Sequence, residues 1–355
     1  MTEQFPLVSV VITSYNCAHF IDSTIRSVLA QDYPNLEVVI SDNCSTDDSD
    51  SVIRRFISDP RIRYSVNDQN IGMLPNFLKA TCDLARGKYI TYVSSDDYLV
   101  DESFVSEAMS RIQAFPSVLM AHSINIAEIT SSQEFFIDES YFYYKDSFYK
   151  QPFVAGLEVF RSFPKCHSIS FGGTVFNREK LMACNPFQGK IFSGDTQVVL
   201  QLLLMGDAAF IDRKTYVARR HDGSTTYSIT RAQSYIDNLD YIDLPYRFAL
   251  DWGFLEREEA ASWKQHMYVC CFSQCLMSLY KSNREEYYVL TDFLREKEPV
   301  VLTLVTATPR WRLNRVIFAN KRVGQCYMGL RRVTRKVKNF LFGSSDGRSL
   351  IGSGR

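Results

Sequence analysis

Nine cysteines occur in the chain, but no two stand as Cys-x-x-Cys and none joins the histidines in the spacing of a zinc site. An odd number without a framework excludes a disulfide-stapled secreted scaffold and fits a reducing compartment. No apolar stretch is long enough to span a bilayer. The first residues, Met1-Thr2-Glu3-Gln4-Phe5-Pro6, lack both a basic start and an apolar signal core, so a cytoplasmic location is expected. There are no internal repeats, and no Gly/Ser-rich stretch occurs before residue 343. One absence is local. Lys+Arg and Asp+Glu are equal at 40 each over the whole chain, yet residues 299–345 hold no acid against ten Lys and Arg. Whole-chain neutrality hides a basic tail.

What is present is material for a core. At 46% hydrophobic and 14% aromatic, 355 residues suffice for one large domain and a smaller one. Leu7-Val8-Ser9-Val10-Val11-Ile12-Thr13 has the apolar character of a central parallel strand and stops at Ser14-Tyr15-Asn16. A helix with a core face of Ile21, Ile25, Val28 and Leu29 follows, closed by Asp32-Tyr33-Pro34. A second strand, 36–40, ends in Ser41-Asp42-Asn43-Cys44-Ser45-Thr46-Asp47-Asp48, and a helix through Val52, Ile53 and Phe56 comes next. A third, 61–66, ends in Asn67-Asp68-Gln69-Asn70-Ile71-Gly72 and leads to a helix over 74–85. A fourth, 89–93, runs into Ser94-Ser95-Asp96-Asp97. This β-α alternation predicts an α/β fold, a doubly wound, mostly parallel sheet with helices on both faces. Every polar cluster follows a strand, and ligands of open α/β sheets collect at the carboxyl ends of strands. Two adjacent carboxylates there suit a divalent cation held through oxygen, with a diphosphate on its far side. The plain alternative is a turn whose Asp caps the next helix.

Taken in order, Val10-Val11-Ile12-Thr13-Ser14-Tyr15-Asn16, then Ser41-Asp42-Asn43-Cys44-Ser45-Thr46-Asp47, then Asn70-Ile71-Gly72, then Ser94-Ser95-Asp96-Asp97 resemble the motif set of family 2 glycosyltransferases, over roughly residues 5–225. The resemblance implies the GT-A fold and transfer of a sugar, with inversion, from a nucleotide-diphosphate donor. It implies a divalent cation, Mn2+ or Mg2+, held by Asp96 and Asp97. It also implies a nucleotide-sugar site formed by Thr13, Tyr15, Asp42, Asn43, Asn70, Gly72, Ser95 and Asp96. Ser94 stands where the family's Asp-x-Asp signature begins, and Asp42-Asn43 where many members have Asp-Asp. The Arg that often follows the Asn-x-Gly motif is absent, with Pro75-Asn76 near its place.

Beyond Asp101 the pattern gives an amphipathic helix (Phe104, Val105, Ala108, Ile112) and a strand over 117–126. Residues 135–153 carry Phe135, Phe136, Tyr141, Phe142, Tyr143, Tyr144, Phe148, Tyr149 and Phe153. Such rings either wall an acceptor site or pack an insertion onto the sheet. Gly172-Gly173, opening a strand over 171–176, permits close backbone approach. Asp195 begins an apolar helix (Val198, Val199, Leu202, Leu203) and by position reads as a helix cap. Its placement is similar to the family's Glu-Asp motif, which implies the catalytic base. Strands over 208–211 and 215–219 then lead to Arg219-Arg220-His221, similar to the family's Arg-x-His segment. That likeness implies Arg220 and His221 as hydrogen-bond donors to a diphosphate, against the alternative of a surface turn.

From residue 231 the chain reads as helices without catalytic motifs, over 232–252, 256–281 and 284–296. Residues 309–342 then interleave apolar side chains such as Trp311, Leu313, Val316 and Ile317 with the ten cations. Basic amphipathic helices lie on anionic membranes, each near-surface cation adding about 1 kcal/mol. A nucleic-acid patch and a solvated basic face are the competing readings, and nothing else in the chain supports nucleic acid. The expected organisation is a catalytic domain over 1–228, a helical domain over 229–308, membrane-associating helices over 309–342 and a disordered tail over 343–355. The whole reads as an inverting transferase at the inner face of the cell membrane, acting on a lipid-linked oligosaccharide for a surface polysaccharide. Two other classes stay open: a nucleotidyl- or polyol-phosphate transferase, and a non-catalytic nucleotide- or sugar-binding module, to which Ser94 in the acidic motif lends weight.

Overall fold

Strands too apolar to face water begin the fold. In the computed structural model, which describes residues 4–137, 146–165, 169–186, 193–221, 231–308, 311–313 and 317, β1 (Val8–Ser14) and β2 (Leu36–Asp42) are buried along almost their whole length. Helix α1 (Ala18–Leu29) turns Ile21, Ile25 and Val28 into the same core. Spacing of four and then three residues is what one helical face requires. Helix α2 (Ser49–Arg54), β3 (Ile62–Val66), α3 (Met73–Lys79) with a π turn at Ala80–Leu84, and β4 (Tyr89–Tyr92) complete the alternation. Strand β1 pairs in parallel with β2 and β4, and β2 with β3. The register sets Ser14, Asp42 and Val66 abreast, so the loops after β1, β2 and β3 leave one edge together.

The chain continues through β5 (Tyr98–Leu99), α4 (Phe104–Ala114), β6 (Val118–Ile129), β7 (Glu134–Ile137), α5 (Gly156–Ser162), β8 (Thr174–Asn177), α6 (Arg178–Ala183), α7 (Gly194–Met205) and β9 (Asp207–Arg220). The sheet order is β3-β2-β1-β4-β8-β6-β9-β5, with β7 on β6. The parallel pattern read from the alternation stops at β4. Strand β8 lies antiparallel between β4 and β6, β6 and β9 run parallel, and β5 is antiparallel to β9. The second half of the sheet is therefore mixed.

Residues 207–220 form one strand where two were expected. Its pairing with β6 slips around Ile124, and Asp212 and Arg213 stand exposed there. A bulge of this kind mimics a turn in the sequence while the strand runs on. Of the aromatic segment, Phe148 and Tyr149 pack on Phe210, and Phe153 on Phe115. Residues 138–145 lie outside the described residues.

The chain divides into two compact units, residues 1–221 and 222–355. The second contains α8 (Ala232–Asp237), α9 (Asp240–Asp251), α10 (Arg257–Ser282), α11 (Arg284–Lys297) and α12 (Pro299–Ala307). The single helix expected over 232–252 is broken at Asn238 and Leu239. Asparagine competes for backbone hydrogen bonds and is a weak helix interior residue. Trp311 is buried against Tyr280 and Tyr287. Apart from residues 311–313 and 317, the basic segment over 309–342 and the tail beyond it lie outside the described residues. No helix among the described residues is long and apolar enough to cross a membrane.

Candidate active site

The loops that follow β1 and β2 are stitched to each other. The Asn16 amide donates to Ser45 Oγ (2.9 Å), Cys17 to Ser49 Oγ (3.0 Å) and Ala18 to Asp47 Oδ2 (3.0 Å), while Asn16 Oδ1 accepts from the Thr46 amide (2.8 Å). Free amides at the start of α1 are thereby satisfied by side chains of the second loop. Much of the Ser45-Thr46-Asp47 motif is thus explained by folding. Asp42, at the last position of β2, differs. Its Oδ1 accepts from the Ser45 amide (3.2 Å) and hydroxyl (2.5 Å), but its Oδ2 is buried without a partner among the described residues. Burial pushes this carboxyl above its ordinary range, against the two Ser45 hydrogen bonds. A buried, half-satisfied carboxylate costs free energy unless something meets it. Thr13 lies one strand away, part-buried opposite Ser41, and Tyr15 is exposed.

Asn43 and Asn70 belong to an amide cluster. Asn43 Nδ2 donates to Asn70 Oδ1 (2.9 Å), and its Oδ1 accepts from Asn67 Nδ2 (2.9 Å) and the Ile71 amide (3.0 Å). Asn76 accepts from Ser41 Oγ (2.7 Å) and returns a bond to the Ser41 carbonyl (3.0 Å), while Lys79 Nζ donates to Asn67 (2.6 Å). The cluster fixes the loop that ends at Gly72, whose φ of +91° only glycine adopts without strain.

The acidic loop after β4 is gripped from two sides. On one, Thr24 of α1 donates to the Asp97 carbonyl (2.6 Å) with the Ser95 carbonyl at 2.9 Å. On the other stands the carboxyl end of β9. Tyr216 donates to Asp97 Oδ2 (2.5 Å), and the Arg219 amide donates to Asp97 Oδ1 (2.8 Å). Asp97 is buried and both its oxygens meet protein donors. Burial, and then the neighbouring Asp96, push its carboxyl up to about 7 against the pull of Tyr216 and Arg219. Asp96 is partly exposed, and its Oδ2 lies 3.0 Å from His221 Nε2. The His221 ring rests on Phe20, centroids 4.8 Å apart. Asp195 stands in the first turn of α7, its Oδ1 accepting from the Thr196 amide (2.7 Å). Its carboxyl is raised, chiefly by burial.

The structure thus brings Asp96, Asp97 and His221 into one cluster, and Asp42, Asn43, Asn70 and Gly72 into the adjoining loops. Sequence reasoning missed Arg219, Tyr216, Thr24, Asn67 and Asn76. Arg219 was within reach. In a strand, alternate residues share a side, so Arg219 and His221 point together, as their shared contacts with Phe20 and Asp96 show. Arg220 is the last residue of β9, part-buried and paired with Ile129 of β6.

A sheet whose parallel half gathers polar loops at its carboxyl ends, with paired acids after the fourth strand, is a GT-A-like arrangement. The glycosyl transferase family 2 model matches residues 9–182 of the chain. The chain is 38% identical over 98 residues to the putative teichuronic acid biosynthesis glycosyltransferase TuaG of Bacillus subtilis, covering 27% of this chain and 38% of that protein. It is 39% identical over 94 residues to the UDP-Glc:alpha-D-GlcNAc-diphosphoundecaprenol beta-1,3-glucosyltransferase WfaP of Escherichia coli, covering 26% and 37%. The chain therefore spans under two fifths of the length of these curated relatives. TarS 1–349 of S. aureus, solved in complex with UDP-GlcNAc, superposes with a TM-score of 0.65 at 18% identity, covering 91% of this chain and 92% of that one. At that identity the likeness establishes the fold, GT-A-like.

Proposed function

We propose that the first unit transfers a sugar, with inversion, from a uridine diphosphate sugar to a hydroxyl of a lipid-linked oligosaccharide in surface polysaccharide synthesis. The observation that carries the reading is Asp96 Oδ2 facing His221 Nε2 at 3.0 Å, beside an Asp97 whose oxygens are already engaged. The names of two relatives support the donor and acceptor: WfaP acts from UDP-Glc on a diphosphoundecaprenol glycan, and TarS was solved with UDP-GlcNAc.

Asp42 Oδ2, buried and unpartnered among the described residues, is the acceptor for a donor N–H of the base, and Thr13 and Tyr15, at the end of the neighbouring strand, complete the nucleotide side. The asparagine cluster and Gly72 shape that side of the donor site. Among the described residues no three His, Cys, Asp or Glu side chains group to hold a metal ion. The Asp96 carboxylate fits Mn2+ or Mg2+ when substrate phosphates and water complete the shell, and the imidazole beside it favours Mn2+, the softer of the two. Asp96 and His221 are the residues that would hold it, with Asp97 fixing the loop between them. When bound, a divalent cation neutralises charge on the departing diphosphate.

The chain's own part is positioning and proton transfer. Asp195 accepts the proton of the acceptor hydroxyl as its oxygen attacks C1 from the face opposite the diphosphate. A single displacement inverts the anomeric centre, by the stereochemical logic of inverting hydrolases. Burial makes Asp195 a stronger base than an ordinary carboxylate. Arg220, at the end of β9, supplies donors for the diphosphate. The basic segment over 309–342 holds the enzyme at the inner membrane face where such acceptors lie.

The test is product analysis with UDP-sugars and vesicles containing undecaprenyl-diphosphate glycans. Free UDP together with a lipid product longer by one sugar of inverted configuration is expected. Release of pyrophosphate would instead indicate nucleotidyl transfer.

A further inference from the structure

We infer that Tyr216 and Arg219 are positioning residues for Asp96, and that through Tyr216 the Gly172-Gly173 segment and the acidic loop move as one body. The inference rests on the reading of Asp96 as a cation-facing acid. Arg219 looks like a hand for the diphosphate, but its guanidinium is used within the protein. Its Nη1 donates to the Asp96 carbonyl (2.9 Å), its Nη2 to Ser23 Oγ (3.1 Å), and its Nε faces Glu128 at 3.6 Å. Its plane lies over Tyr98 at 4.2 Å and Phe20 at 5.3 Å. A guanidinium with each nitrogen meeting an acceptor, between two rings, is a strut. It fixes the backbone of Asp96 and, two residues on, the ring that faces Asp96 Oδ2.

Tyr216 is the second strut. Its buried hydroxyl donates to Asp97 and accepts from the Ser94 amide (3.4 Å), so it spans both ends of the acidic loop. Its ring fills the space where a side chain on Gly172 would be, since a Cβ there would lie 2.4 Å from Tyr216 Cζ. At Gly173, φ is +68° and a Cβ would meet Asn125 Oδ1 at 2.2 Å. Asn125 in turn holds this segment by donating to the Gly172 carbonyl (2.8 Å) and Ser170 Oγ (2.7 Å). Bare backbone at 172 and 173 is what lets the segment seat on Tyr216. A push there reaches Asp97 through one rigid ring.

The experiment measures Mn2+ binding in the presence of UDP, without acceptor or turnover, from the EPR signal of free Mn2+. The full chain is compared with Tyr216→Phe, Arg219→Lys and Gly172→Ala. Tyr216→Phe keeps the ring seated on Gly172 and removes the hydroxyl, and it serves if Gly172→Ala does not fold. Each folded variant is expected to weaken Mn2+ binding about tenfold, the lower end for losing a partner of a metal ligand. In turnover assays the Mn2+ concentration for half-maximal rate should rise by the same factor, well beyond any fall in kcat at saturating Mn2+. Unchanged Mn2+ affinity with a lower kcat would mean a merely structural role and overturn the inference while leaving Asp96 as the cation-facing acid. Absence of UDP-dependent Mn2+ binding in the unaltered chain would overturn the reading of Asp96 and this inference with it.

Discussion

Strand β2 carries a buried acid at each end, and the two are treated differently. Glu37, at the amino end, has an Oε1 that accepts from Ser9 Oγ (2.5 Å) and the amides of Arg86 (2.6 Å) and Gly87 (3.2 Å), while Arg63 stands 3.5 Å from its Oε2. Asp42, at the carboxyl end, has Ser45 on one oxygen and, among the described residues, nothing on the other. Burying a carboxylate is tolerable when donors surround it. Glu37 therefore ties β1, β2 and the turn before β4 together, and Asp42 has an acceptor left over. The contrast extends across the sheet. At the carboxyl edge Asp97 is also raised by burial and Asp96 faces an imidazole. On the proposed reading, the fully answered Glu37 is architecture and the half-answered Asp42 meets the donor.

The comparison can be broken by substitution, beginning with the largest effect. Asp195→Asn removes the base and should lower kcat about 10²–10⁴-fold in a chain that still binds UDP by calorimetry; near-normal turnover would remove Asp195 from the mechanism. Asp42→Asn should weaken UDP binding about ten- to a hundredfold, the worth of a hydrogen bond to a charged acceptor. Its Tm should hold or rise, because a desolvated charge has gone. Glu37→Gln should do the reverse: stability falls by about 1–3 kcal/mol in denaturant titration, with kcat per folded molecule retained. If Asp42→Asn destabilised as Glu37→Gln does and left UDP binding intact, the distinction between the two ends would fail. Thr24→Val should cost about 1 kcal/mol, since one hydroxyl serves the carbonyls of both Ser95 and Asp97.

A pH profile sharpens the same point. Burial raises the Asp195 carboxyl, and a base works only when deprotonated. Activity should therefore fall as pH drops through a value above the ordinary aspartate range of about 3.9. An acid limb at or below that value would show that burial does not tune this group.

The first four strands, their helices and the rule that polar clusters follow strands were legible, because each depends on local apolar period and turn chemistry. The order β8-β6-β9-β5 was not, since pairing between distant segments leaves no local mark. The exposed residues at 212 and 213 imitated a turn inside a continuous strand. Asp42, Asp96, Asp97 and His221 were named from motifs as candidates, but not the different partners of Asp96 and Asp97, which depend on where Tyr216 and the Arg219 amide sit. Asn43 and Asn70 read as ligand contacts, whereas in the structure their amides answer each other. Thr24, in mid-helix, gives no signal at all until the loop it holds is folded against it.

The most direct measurement is thermal unfolding of the full chain and of Asp96→Asn with UDP, each with and without Mn2+. A ligand about 100-fold above its dissociation constant adds about 2.7 kcal/mol of stability. The expected result is stabilisation of both proteins by UDP, with a further Mn2+-dependent gain only in the unaltered chain. No response to UDP in either protein, with or without Mn2+, would contradict the assignment of this sheet edge as a nucleotide-sugar site.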